Sequence, residues 1–247
     1  SHWMTVWGDI NRVAYALLFP MRWQFQVNGT LDPQRSYLLI SNHASWIDII
    51  LLVHFFRRRT PPVCFFLKQE LRKVPVIGFA CWAMDFPFMK RHGRAALEKN
   101  PSLREDDLRE TRRACERFRT RPVTVVNFVE GTRFTVEKHN EQQSPYRHLL
   151  KPKAAGLSFA LNAMGDQFAG ILDVTLAYRP RTLPVLWSFL RGEQTDLVVH
   201  VDVLPVPVAL VNGDYPSDAA FRGRFQAWVN ELWMRKDARL EALTQLR

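Results

Sequence analysis

Alternating apolar and polar positions first appear at residues 22–27, Arg-Trp-Gln-Phe-Gln-Val, and predict an edge strand closed by Asn28-Gly29. Ahead of it, residues 9–19 carry a helical pattern stopped by Pro20. Beyond it, continuous apolar runs replace alternation, as strands buried on both faces require. Residues 37–41, Tyr-Leu-Leu-Ile-Ser, predict a short strand that runs into Asn42-His43. Residues 46–56 are apolar almost throughout and predict a buried helix, closed by Arg57-Arg58-Arg59 and Pro61-Pro62. Strands follow at 63–67 and 86–89, with a helical stretch at 69–71 and an apolar segment at 79–84 between them. Residues 100–119 are mostly charged, with Leu103, Leu108, Ala114, Cys115 and Phe118 spaced for a helix apolar on one face. The clearest strand is 123–129, Val-Thr-Val-Val-Asn-Phe-Val, which delivers Glu130-Gly131-Thr132-Arg133 into a turn. A polar stretch at 137–146 reads as a loop. The pattern then predicts a small-residue helix at 154–164, strands at 171–178 and 197–204, and one or two amphipathic helices across 221–246. Strands alternating with helices predict an α/β fold, a single domain over 31–247 with a largely parallel central sheet flanked by helices. Residues 1–30 are expected to form an N-terminal amphipathic helical segment before it.

Composition narrows the function classes. A 47% hydrophobic content over 247 residues is ample for a buried core, and 34 Lys and Arg against 24 Asp and Glu give a net charge of +10. That charge suits a phosphate-bearing partner, either an anionic lipid surface or a nucleic acid. Cys64, Cys81 and Cys115 show no C-x-x-C spacing, so neither a disulfide framework nor a zinc cluster is indicated, and a reducing, cytoplasmic setting is expected. No stretch reaches the roughly 20 uncharged apolar residues of a spanning helix. Ser1-His2 resembles a cleavage scar, and the aromatic opening that follows suggests a native anchor removed upstream. Trp3, Trp7, Phe19 and Trp23, with Arg12 and Arg22, predict an interfacial helix with its aromatics at headgroup depth. A first helix packed on its own core is the alternative. Arg57, Arg58 and Arg59 fit either attraction to anionic headgroups or a solvated helix end.

The candidate chemistry begins at Asn42-His43-Ala44-Ser45-Trp46-Ile47-Asp48. Activating a hydroxyl for attack needs a base for its proton and a group that orients the base. His43 is a candidate base and Asp48 its candidate orienter. A five-residue gap separates two side chains widely on one helix, so the pair meets only if His43 lies in the loop and Asp48 on the first helical turn. By itself the spacing better describes a capping carboxylate near an ordinary surface histidine.

Further blocks give the pair its context. Asn42-His43-x4-Asp48 resembles the first motif of the glycerolipid acyltransferases, which include the lysophosphatidic acid acyltransferases. Phe66-Leu67-Lys68-Gln69-Glu70-Leu71, then Pro75, Gly78 and Phe88-Met89-Lys90-Arg91, are similar to that family's lysine-bearing strand and arginine-terminated second motif. The resemblance implies that Lys68 and Arg91 face the acceptor's phosphate, where a guanidinium can make two parallel hydrogen bonds. Phe128-Val129-Glu130-Gly131-Thr132-Arg133 resembles the Phe-Pro-Glu-Gly-Thr-Arg block, with Val129 in place of proline and Phe134 where serine is common. It implies that the Glu130 to Arg133 turn binds the acceptor. Glu130 would take the glycerol hydroxyls or an arginine, Gly131 would allow close backbone approach, Thr132 would lie within the site, and Arg133 would add a second phosphate contact. Lys153-Ala154-Ala155-Gly156 resembles the family's glycine-containing helix start, whereas Val174-Thr175-Leu176-Ala177-Tyr178 lacks the proline of the usual Val-x-Pro segment.

The resemblance spans about residues 35–180. It implies transfer of a fatty acyl group from acyl-CoA or acyl carrier protein to the free hydroxyl of a lysophospholipid, foremost 1-acylglycerol 3-phosphate, giving phosphatidic acid. The expected route is direct, without an acyl-enzyme, a metal or any cofactor beyond the acyl-donor substrate. Ser45 lacks a G-x-S-x-G elbow, and Cys64 and Cys81 lie in apolar runs, so none is expected as a nucleophile. The chain is expected on an anionic membrane surface, at the cytoplasmic face. Rival readings are another lysophospholipid or glycerol 3-phosphate as acceptor, and, in another class, a noncatalytic basic nucleic-acid- or membrane-binding protein.

Overall fold

The computed structural model describes residues 22–65, 67–68, 88–89, 109, 118, 121–178, 188, 191 and 196–245. Six strands form the central sheet: β1 (Arg22–Asn28), β2 (Ser36–Ser41), β3 (Val63–Phe65), β6 (Thr124–Phe128), β7 (Phe168–Tyr178) and β8 (Asp196–Leu204), in the order β1-β8-β7-β2-β6-β3. All neighbours pair in parallel except β7 with β8, which is antiparallel. A separate two-stranded parallel sheet joins β4 (Leu67–Lys68) to β5 (Phe88–Met89). The helices given in full by the described residues are α1 (Ile47–Phe56), α2 (Val136–Glu141), α3 (Ala154–Met164) and α4 (Ala219–Gln245), with a 3-10 turn at Val208–Leu210.

β2 is buried at every position because it lies mid-sheet with strands on both sides, which is why its sequence is a run rather than an alternation. β1 does alternate, as an edge strand should, and it pairs with β8 along its whole length. Residues 22–28 of the stretch expected to lie before the domain thus belong to the sheet. Trp23, expected at headgroup depth, instead stacks on His54 at 5.2 Å between ring centroids and meets Phe55 edge-on at 5.1 Å. At the end of α1, Arg59 donates to the Phe55 carbonyl at 2.7 Å and lays its guanidinium over Phe25, so it caps the helix.

α4 is one continuous helix. Phe221, Phe225, Val229, Leu232, Trp233 and Leu240 form its buried stripe, and the stripe also contains Lys236. The Lys236 ammonium pairs with Asp173 of β7, and Arg239 links that carboxylate at 3.6 Å to Asp202 of β8. Burial holds the Lys236 amine below its ordinary value, against the Asp173 charge that raises it.

Two more expectations need correction. The 137–146 stretch read as a loop opens with α2, nucleated by Thr135, whose hydroxyl accepts the Lys138 N–H. This short helix buries no residue, so it has no apolar stripe to betray it. The strand read at 63–67 is divided between the main sheet and the small one. The expected helical stretches at 9–19, 69–71 and 79–84, nearly all of 100–119, and Cys81 lie outside the described residues, as do Trp3, Trp7, Arg12 and Phe19. Among the described residues no helix is long and apolar enough to cross a membrane.

Candidate active site

The sheet's connections bring three strand ends together. The chain leaves β2 through α1 to β3 on one side, whereas β6 continues through α2 and α3 to β7 on the other. Such a reversal opens a crevice at the carboxyl ends of the strands. Ser41 registers with both Phe128 and Val174, so the segments that follow β2 and β6 emerge beside the last turn of β7. His43, Glu130 and Tyr178 come from these three places.

His43 lies in the β2–α1 loop and Asp48 on the first turn of α1, so the short loop folds one onto the other. Their Nδ1 and Oδ2 are 2.8 Å apart, and both residues are buried. The same Oδ2 accepts the Ala44 N–H at 2.7 Å and the Ser45 N–H at 2.9 Å, while the Tyr178 hydroxyl donates to Oδ1. Asp48 therefore satisfies backbone donors ahead of the helix as well as the imidazole. With the Nδ1 proton directed at Asp48, Nε2 is the nitrogen left for a substrate proton. The imidazole stacks on Phe128 at 4.0 Å between centroids, and the Asn42 amide clasps the Leu176 backbone, accepting its N–H at 2.9 Å and donating to its carbonyl at 3.0 Å. Phe134 N–H donates to the His43 carbonyl at 2.7 Å, tying the loop to the turn after β6.

That turn places its residues differently from one another. Glu130 is fully buried and points inward, accepting the His43 N–H and the Leu150 N–H, each at 3.3 Å. Burial pushes its carboxyl from 4.5 up to about 8, against the two backbone donors that lower it. Gly131 has φ +67°, a left-handed conformation, and a Cβ there would meet the Lys153 side chain at 3.1 Å. Lys153 thus lies across the turn. Thr132 accepts a hydrogen bond from the Lys138 ammonium at 2.7 Å. The Arg133 guanidinium sits 4.5 Å from the ring centroid of Trp46, which is 49% exposed. The cluster so formed holds His43, Asp48, Glu130, Gly131 and Arg133, through their direct contacts or through Phe134 and Trp46. Lys68 has its backbone in β4, paired with Met89, and Arg91 lies outside the described residues.

Sequence reasoning did not name Lys138, and it quoted Phe128, Lys153 and Tyr178 within family blocks without giving them a role. The signal for Tyr178 was present, a polar-tipped aromatic ending a buried strand, but only the register of β7 against β2 shows where its hydroxyl arrives. Ser45 is buried with its hydroxyl 3.4 Å from the Ile47 N–H, a helix-start contact.

Comparison with known proteins places the chain in a family. The family model described as Acyltransferase matches residues 24–179, more than half of the chain. Lysocardiolipin acyltransferase 1 of Danio rerio is 28% identical over 232 residues, covering 87% of this chain and 54% of the relative. The gamma 1-acyl-sn-glycerol-3-phosphate acyltransferase of Mus musculus is 27% identical over 188 residues, covering 72% of this chain and 45% of the relative. The chain thus spans about half the length of these curated relatives. Among solved structures, the 1-acyl-sn-glycerophosphate (LPA) acyltransferase PlsC from Thermotoga maritima superposes with a TM-score of 0.54 over 98% of this chain and 79% of its own, at 20% identity, a likeness of fold.

Proposed function

The chain belongs to the Acyltransferase family, and from that premise we propose that it moves a fatty acyl group from an acyl thioester to the free hydroxyl of a lysophospholipid, foremost 1-acylglycerol 3-phosphate. The observation that carries this reading is the buried His43–Asp48 pair at the carboxyl edge of the sheet. His43 Nε2 takes the acceptor's hydroxyl proton as that oxygen attacks the thioester carbonyl carbon. The new C–O bond forms, the C–S bond breaks, and the imidazolium returns its proton to the leaving thiolate. Asp48 stabilises the imidazolium and holds the ring. Arg133 and Lys153 beside the turn, joined by Lys68 and Arg91 of the family blocks, supply positive charge for the acceptor's phosphate. Acyl-CoA or acyl carrier protein serves as donor, and both carry the required thioester.

An acceptor with a polar head and an apolar tail places the reaction at a lipid surface, membrane-associated on the cytoplasmic face. Trp46 at the site and the exposed Val136 at the start of α2 support contact with such a surface. A second reading, in which the acceptor is a larger lysophospholipid, is favoured by the similarity to a lysocardiolipin acyltransferase. Purified protein is to be assayed with lysophosphatidic acid, monolysocardiolipin and glycerol 3-phosphate, each with acyl-CoA and acyl carrier protein donors. Turnover with lysophosphatidic acid, and its loss by about a hundredfold or more in a folded His43→Ala variant, is the expected result. Near-wild-type transfer by His43→Ala would end the mechanism.

A further inference from the structure

The last segment of β7, Val174 to Tyr178, departs from the family's Val-x-Pro pattern, and the mechanism above gives it no task. Its position does. Asn42 grips the Leu176 backbone on one side of His43, and Tyr178 reaches Asp48 on the other, so the end of β7 clamps both flanks of the catalytic loop. Asp48 Oδ2 is shared by three donors, the His43 ring and two backbone N–H groups. Oδ1 receives the Tyr178 hydroxyl, and the carboxylate is fully buried. Without that hydroxyl Oδ1 would be a buried acceptor lacking its donor, and the carboxylate would regain rotation about its Cβ–Cγ bond toward other donors.

We infer that Tyr178 is a positioning residue of the active site, whose hydroxyl fixes the plane of the Asp48 carboxylate and thereby the tautomer and orientation of His43. The inference rests on the acyl-transfer reading only for its kinetic consequence. The phenol suits the task because burial, and after it the Asp48 charge, holds its ionisation well above the ordinary value, so it remains a donor at any working pH. Charge-assisted hydrogen bonds of this kind are the stronger ones, and a donor on a rigid strand end is better fixed than one on a loop. Glu130 also feels the Asp48 charge, and it contacts the His43 backbone rather than its ring.

The test compares wild type with Tyr178→Phe, which removes one oxygen and keeps the ring, and with Tyr178→Met as a second variant lacking the hydroxyl. Circular dichroism first confirms folding. Nitrogen NMR of the His43 imidazole is expected to report the Nδ1–H tautomer in wild type and a mixture of tautomers in the variants. An unchanged tautomer ratio in the folded variants overturns the inference, whether or not the chain proves to be an acyltransferase. In the kinetic arm, Tyr178→Phe is expected to lower kcat by roughly 10- to 100-fold with KM for the acceptor within about twofold. In an Asp48→Asn background the same change is expected to cost less than about threefold, because its effect passes through the carboxylate. A kcat within twofold of wild type, or equal losses in both backgrounds, also overturns it. His43→Ala separates the two failures. If that variant is inactive and Tyr178→Phe is not impaired, only the Tyr178 assignment falls.

Discussion

Glu130 makes the most demanding prediction, because it is a fully buried carboxyl whose partners among the described residues are two long backbone contacts. Its carboxyl titrates near 4.5 in the unfolded chain and near 8 in the folded one. Between those values the native state holds a proton that the unfolded state has released, so stability falls as pH rises. At about 1.4 kcal/mol per pH unit, the full interval amounts to roughly 5 kcal/mol, present below pH 4.5 and lost by about pH 8. That is a large part of the roughly 5–15 kcal/mol that holds a domain together. Glu130→Gln replaces the group with one that does not titrate, though its amide offers one backbone N–H a donor instead of an acceptor, at a cost of about 1–3 kcal/mol that does not vary with pH. Urea unfolding of both proteins from pH 5 to pH 8 separates the two effects. The wild-type curve should fall more steeply, by up to about 1.4 kcal/mol per pH unit, while every other group cancels in the difference. Parallel curves would refute the assignment of a protonated Glu130 in the folded protein.

Two more substitutions probe the frame around the site. Gly131→Ala puts a side chain at φ +67° and 3.1 Å from Lys153, so it should lower stability by about 1–2 kcal/mol and reduce acyl transfer by displacing the turn, as read by thermal unfolding and turnover. Lys236→Met leaves Asp173 buried with Arg239, at 3.6 Å, as its remaining cation among the described residues, and should cost about 3–5 kcal/mol in chemical denaturation. Adding Asp173→Asn should recover most of that loss. A double variant as unstable as the single one would mean that packing of the lysine stem, rather than its charge, is what α4 requires.

Much of the frame was legible because its strands bury both faces. The runs at 37–41 and 123–129 and the helix at 154–164 reappear as β2, β6 and α3 with boundaries within a residue or so. What periodicity could not carry was pairing. Nothing in residues 197–204 distinguishes an antiparallel neighbour from a parallel one, since the choice depends on where the chain re-enters the sheet. α2 was invisible for a different reason, being held by a cap and by solvent-facing turns instead of an apolar stripe. At the site, the His43–Asp48 spacing was readable and its geometry followed from a strand, a loop and a helix in order. The orientation of Glu130 was not readable, because a charged turn after a buried strand can face either way. Here it turns inward to two N–H groups, leaving Arg133 on Trp46 as the outward charge.

The two fully buried carboxyl groups of the site show how one small volume can separate their roles. Asp48 gathers four donors, among them an imidazole and a phenol, so negative charge placed there is met on every side. Glu130 gathers two, both backbone groups at 3.3 Å, and the Asp48 charge nearby opposes a second one. The two environments therefore differ, and burial keeps Glu130 neutral at neutral pH. A neutral Glu130 still braces the His43 backbone while leaving the imidazole to answer to one carboxylate. Were Glu130 charged as well, the imidazolium would be stabilised from two directions and its proton harder to return to the departing thiolate. On the proposed mechanism, a neutral Glu130 thus favours the proton's return to the thiolate. It follows that a substitution opening the Leu150 side of Glu130 to water should weaken acyl transfer most between about pH 4.5 and pH 8, where the rehydrated carboxyl would carry a charge that the buried one lacks.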